Sequence, residues 1–114
     1  MPNLNERELE RDKGMGQAVD HANMEHLAWS DRALAFVHMY ALEHQEFTCE
    51  LVRNYAESRG MPKPPSERAW GHPMRAAAKN RWIEKTERRM VAIDPRVHCN
   101  ELKVWRSLIW REHG

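Results

Sequence analysis

The stretch 66–83, SERAWGHPMRAAAKNRWI, decides the fold. Ser66 follows the rigid Pro64-Pro65 pair and reads as a helix N-cap. From there Trp70, Met74, Ala77 and Ala78 fall on one side of a helix running to about Asn80. Arg68, His72, Arg75 and Lys79 fall at i, i+4, i+7 and i+11 on the other side. Pro73 interrupts the pattern, because an interior proline loses a hydrogen bond. Two geometries accommodate it: a kinked helix, or a first turn over 66–71 followed by a helix with Pro73 near its start. Met74–Asn80 is helical in both. After Trp82-Ile83 the period changes from helical to alternating, and Leu102–Ile109 alternates cleanly. Leu102, Val104, Arg106 and Leu108 take one face, while Lys103, Trp105, Ser107 and Ile109 take the other. Ala92–Asn100, with Asp94-Pro95, is the connecting loop.

Upstream of this stretch the helical period returns twice. Ser30-Asp31 reads as a cap with an acid in the first turn, ahead of Ala33, Leu34, Val37, Tyr40 and Ala41. Thr48 opens a second helix, with Phe47 and Val52 spaced as a hydrophobic staple. Arg59-Gly60-Met61-Pro62 closes it, with Gly60 expected at positive φ. The spacing thus predicts helices near 31–45, 48–59 and 67–80, then strands near 82–91 and 101–109. Ala33, Val37, Val52, Trp70, Ala77, Ile83, Val104 and Trp105 are the expected core. Three helices followed by a hairpin is the order of a winged helix-turn-helix. The expected class is therefore α+β, mainly helical, with an extra N-terminal helical arm. Residues 1–23 read as that polar arm, partly disordered or helical, and 24–114 as the winged-helix domain.

The 114 residues make one domain, and no apolar run is long enough to span a bilayer. The charged start MPNLNERELERDKG is not a secretory signal. Two cysteines are too few for a disulfide scaffold, so a cytoplasmic setting is expected. The formal net charge is +1. It hides a division: residues 1–58 hold five Lys/Arg against eleven Asp/Glu, and residues 59–114 hold thirteen against six. The halves carry −6 and +7, which points to an anionic partner for the second.

The cations of that half are not scattered. Arg68, His72, Arg75 and Lys79 line the outer face of the third helix. Lys85, Arg88, Arg89 and Arg96 sit on or beside the loop of the hairpin. Such a footprint suits contact with nucleic acid, duplex DNA in particular, the helix facing a groove and the hairpin the backbone. Catalytic groups, a cofactor and a metal are not expected. The histidine pairs 21/26 and 38/44 miss the i, i+4 spacing of helix-borne ligands, and no phosphate-binding glycine loop is present. Cys49 would lie in the first turn of the second helix, where the dipole lowers a thiol pKa unless burial prevails. Trp70, Trp82 and Trp105 fall where a core is needed. Trp110, if exposed, would suit stacking on single-stranded bases, but core packing or a covered edge is the expected role.

The segments Phe47-Thr48, Arg68-Ala69-Trp70-Gly71, Met74-Arg75-Ala76-Ala77-Ala78, Ile83, His98-Cys99 and Val104-Trp105-Arg106-Ser107-Leu108 resemble a family of small winged-helix proteins from bacteriophages and prophages. The resemblance spans about residues 29–109 and implies the fold and a phage or prophage origin, and little about activity. Pro73, and a 92–97 loop poor in serine and arginine, depart from the family pattern. The alternative is a winged-helix adaptor for host or phage replication, transcription or defence machinery. It would dock a basic protein partner on the acidic N-terminal half through Glu43, Glu46, Glu50 and Glu57. The oligomeric state is left open.

Overall fold

The computed structural model describes residues 16–26, 28–93 and 101–111. Expectations that fall on 1–15, or on Arg96, His98 and Cys99, lie outside them. The chain is α+β and mainly helical. Helix α1 covers residues 16–25. Then come α2 (Trp29–Glu43), β1 (Glu46–Phe47), α3 (Cys49–Ser58), a 3-10 turn (Glu67–Trp70), α4 (Gly71–Lys79), β2 (Ile83–Val91) and β3 (Glu101–Ser107). The three strands form one antiparallel sheet in the order β1-β3-β2.

The start of α2 differs from the expected Ser30 cap. Its N-cap is Ala28, a left-handed residue (φ 53°) whose side chain makes no capping bond. The methyl of alanine cannot accept a hydrogen bond, so the cap function is supplied from α1. Asn23 Oδ1 accepts the Ser30 N–H at 2.9 Å, satisfying one of the orphan donors of the first turn. The helix therefore begins one residue earlier than Ser30 and includes Trp29, which is fully buried. Alanines and valines at 33, 37 and 41 continue the stripe, all with no accessible surface. Part of the stretch read as an arm is helical, and Ala18, Val19 and Ala22 of α1 lie in the same core.

Helix α3 begins where the staple places it. Thr48 is extended (φ −105°, ψ 164°) and its Oγ1 accepts the Leu51 N–H at 3.3 Å. Phe47 and Val52 on either side of that cap are both fully buried. Phe47 is also half of β1, a strand too short to show any period in sequence. It pairs with Trp105 while Glu46 pairs with Arg106. The other end of α3 closes by a Schellman pattern: Gly60 N–H donates to Glu57 O at 3.1 Å and Met61 N–H to Ala56 O at 3.1 Å. Gly60 takes φ 89° there.

The core holds all eight expected residues, Ala33, Val37, Val52, Trp70, Ala77, Ile83, Val104 and Trp105. At its centre Trp29 and Trp70 meet edge to face at 5.2 Å, and Trp29 Nε1 donates to Pro62 O at 3.2 Å. Tyr40 packs edge to face on Phe47 and on Tyr55, joining α2, β1 and α3. The end of β3 is fastened to α2 and the α2–β1 turn through Ser107. Its N–H donates to Gln45 O at 2.8 Å and its hydroxyl to Ala41 O at 2.6 Å.

The two helix boundaries give a direct test by urea unfolding. Thr48→Ala should lower stability by about 0.5–2 kcal/mol through the lost cap. Gly60→Ala should cost about 1–2 kcal/mol, the left-handed penalty of an L-residue, since a Cβ there meets nothing within 4 Å. An unchanged midpoint in both variants would contradict these boundaries.

Candidate nucleic-acid interface

The segment around Pro73 takes the second of the two geometries read from sequence. Ser66 caps the 3-10 turn, its Oγ accepting the Arg68 N–H at 3.3 Å. Helix α4 then starts at Gly71, so Pro73 is its third residue. The first four N–H groups of a helix have no intrahelical partner, so proline forfeits nothing there. The cost falls on Arg68. A 3-10 turn advances about 120° per residue instead of about 100°, so Arg68, although exposed, leaves the regular stripe. His72, Arg75 and Lys79 remain on one exposed face, and Pro73, Met74 and Ala77 are buried beneath them.

The C-terminus of α4 repeats the Schellman pattern of α3, with Arg81 N–H on Ala78 O and Trp82 N–H on Ala77 O, both at 3.0 Å. The left-handed position is held here by Arg81, at φ 62°, not by glycine. Non-glycine residues occupy that region at a cost of about 1–2 kcal/mol. Arg81 is exposed at the junction of α4 and β2, beside Lys79. Sequence reading missed it, because only the cap geometry singles it out.

Of the hairpin cations, Lys85, Arg88 and Arg89 sit in strand β2 itself, within the strand expected near 82–91. Lys85 pairs with Trp105 and Arg89 with Lys103, and between them three residues of β2 stand opposite the single Val104. This bulge is held by Thr86, whose hydroxyl donates to Val104 O at 2.8 Å and accepts the Arg88 N–H at 3.1 Å. Bulges bend a strand and re-aim its side chains. Arg88 turns to the outer side of the sheet and pairs with Glu46, where Arg106 likewise pairs with Glu84. Arg88 is thereby set against an acid while its side chain stays exposed.

The inner side is different. Between α4 and the hairpin runs a groove of about 540 Å³. Met74, Leu102 and Trp105 supply its apolar lining, together with Cys49 of α3. Arg75, Lys85, Arg89 and Lys103 line it as well, with Glu101 as the one acid. Lys85 Nζ stands 5.9 Å from the centre of the Trp105 ring, within cation–π range. Lys103 was legible in sequence from its alternation with Trp105 but was not counted among the cations.

The Cys49 thiol is pushed up to about 12 by burial, with Arg53 lowering it and Glu67 and Glu50 raising it. Burial outweighs the helix dipole, so the group is a neutral thiol at physiological pH. Among the described residues no three His, Cys, Asp or Glu side chains come together to hold a metal ion. Nor, among them, is any helix long and apolar enough to cross a membrane.

The four acids named for an adaptor surface do not share a face. Glu43 is exposed, but Glu46 pairs with Arg88 and Glu57 is half-buried. Glu50 is buried, with Oε1 accepting the Ile93 N–H at 2.7 Å. It lies in the first turn of α3, where a carboxylate is favoured, and there it holds the far end of β2 against the helix.

Cys49 can be followed by alkylation in a Cys99→Ser background. At pH 8 its reaction should be about a thousandfold slower than that of a free thiol, following the thiolate fraction. The folded state keeps a proton that the unfolded chain gives up near pH 9. Stability should therefore hold below pH 9 and fall as pH rises toward 12. Alkylation at the free-thiol rate would contradict the burial. In comparisons of the whole chain, no family model, no curated protein and no solved structure matches it.

Proposed function

We propose that the chain is a winged helix-turn-helix protein that binds duplex DNA, with α4 facing a groove and the β2–β3 hairpin acting as the wing. The element order supports the fold reading. Helices α2, α3 and α4 precede the hairpin, and β1 between α2 and α3 completes the small sheet. The observation that carries the function is the sorting of charge across the hairpin. Cations on its outer side are paired with Glu46 and Glu84. Those on its inner side converge with Arg75 of α4 on one groove. Lys79 and Arg81 extend that surface along the helix end, and no acid occurs between Glu67 and Glu84.

Backbone contacts of this kind displace condensed counterions, so affinity falls as a power of salt concentration. Five phosphate contacts, from Arg75, Lys79, Arg81, Lys85 and Arg89, give a slope of log K against log salt of about −4 to −5. Binding to random-sequence duplex should then weaken by roughly two to three orders of magnitude over a fourfold rise in salt. Lys79→Ala with Arg89→Ala should weaken binding to every sequence and reduce the slope by about 2. Arg81→Gly should raise stability by about 1 kcal/mol while reducing the slope by about 1. Glu43→Ala should leave binding unchanged. A parent protein that binds no duplex at low salt would overturn the reading. Salt-insensitive binding of a protein partner would favour the adaptor instead, with exposed Met39, Leu108 and Trp110 as the surface to mutate.

A further inference from the structure

The groove between α4 and the hairpin has a property that contact with duplex backbone does not use. Phosphates of a duplex engage cations along a ridge and give nothing to an apolar floor. Here the floor is formed by Met74, Leu102 and Trp105. Met74 and Trp105 are core residues at 2% and 7% exposure, so only their edges reach the groove. Its volume of about 540 Å³ lies inside the range of roughly 300–1,000 Å³ that holds small-molecule ligands. Lys85 and Arg89 stand on the rim, and among the described residues neither has a carboxylate partner. Arg75 approaches from the α4 side.

An apolar slot with a cationic rim selects an amphipathic anion: a flat apolar body for the floor and a compact polyanionic group for the guanidinium and ammonium groups. Arginine forks match phosphate geometry in particular. We propose that this groove is a nucleotide pocket, seating a nucleobase on Met74, Leu102 and Trp105 and its phosphate against Arg75, Lys85 and Arg89. Glu101, the one acid on the lining, can accept from ring or amine N–H groups of a base. The ligand is either a free nucleotide or an unpaired nucleotide of a single strand, since both present the same chemistry. The pocket shares its cations with the duplex surface but does not depend on it.

The test uses the full chain labelled at its methionine methyl groups, with Met74 assigned from Met74→Leu. A nucleoside 5′-monophosphate and a short single-stranded oligonucleotide are titrated separately, alongside inorganic phosphate, the free nucleoside and a blunt duplex. The expected result is a saturable shift of the Met74 methyl with the nucleotide or the single strand, absent with phosphate or nucleoside at equal concentration. Whichever of the two binds more tightly names the source. Leu102→Trp, which fills the slot from a half-buried strand position, should weaken nucleotide binding by about tenfold or more. Equal shifts from inorganic phosphate would overturn the proposal, leaving a simple anion site. A Leu102→Trp protein that folds and binds nucleotide like the parent would overturn it too. Should that variant not fold, the phosphate comparison on the parent still decides. Duplex binding without any nucleotide shift sinks the pocket alone, whereas nucleotide binding without duplex binding sinks only the duplex reading.

Discussion

Phe47 occupies the point where sheet and helices have to agree. Its backbone pairs with Trp105 at the centre of the sheet, and the next residue, Thr48, caps α3. Its side chain, fully buried, meets Tyr40 of α2 edge to face. One residue thus fixes the strand, the angle at which α3 departs, and the depth at which α2 rests on both. Removing a buried aromatic of this kind costs about 3–5 kcal/mol, a large share of the stability of a domain this size. The rest of the molecule is arranged around that junction. Ser107 fastens the last strand to Ala41 and Gln45 one step further along. Helix α4 is then held between α2 and the sheet.

The same rigidity governs the cationic surface. Long basic side chains on a free hairpin would repel one another and splay. Here the hairpin is anchored at one end by the Ser107 bonds and near the other by Glu50, whose buried carboxylate takes the Ile93 N–H. Between the anchors the Thr86 bulge sorts the side chains, sending Arg88 to Glu46 and leaving Lys85 and Arg89 against the groove. Acids of the first half therefore serve the basic second half in two ways, by neutralising its outer side and by clamping its backbone. Neither role leaves them a common acidic face.

Most of the fold was legible because it rests on local signals. Thr48 and Gly60 are boundary residues whose chemistry names their geometry, and the apolar periods of α2 and α3 fill the core as read. The misses share a cause: each depended on a contact distant in sequence. Ser30 looked like a cap, but Asn23 serves its N–H from another helix. β1 is two residues long and exists only because β3 lies beside it. Glu50 was read as part of a docking surface, but it is buried and takes the Ile93 N–H. The pairing of exposed Arg88 with Glu46 needs the sheet to bring β1 and β2 together. Of the candidate site, the α4 face was legible from spacing alone. Lys103 and Arg81 were not singled out, the first because its role needs the groove, the second because its role lies in a backbone angle.

Arg81 is where stability and surface charge pull in opposite directions. The two Schellman ends of this chain are built alike, and in one of them glycine takes the left-handed position without strain. In the other an arginine holds it at a penalty of about 1–2 kcal/mol. Strain of this kind persists only where the surrounding structure over-determines it. Here the Trp82 N–H is committed to Ala77 O, and Leu108 N–H to Trp82 O, so the turn cannot relax without loosening the hairpin from α4. The turn thereby fixes an exposed arginine at the junction of α4 and β2, at the base of the hairpin. A glycine would relieve the strain and remove that charge. The strained residue falls at the seam between the two elements that would have to meet a nucleic acid together, which is the position where a fixed charge constrains their relative placement most.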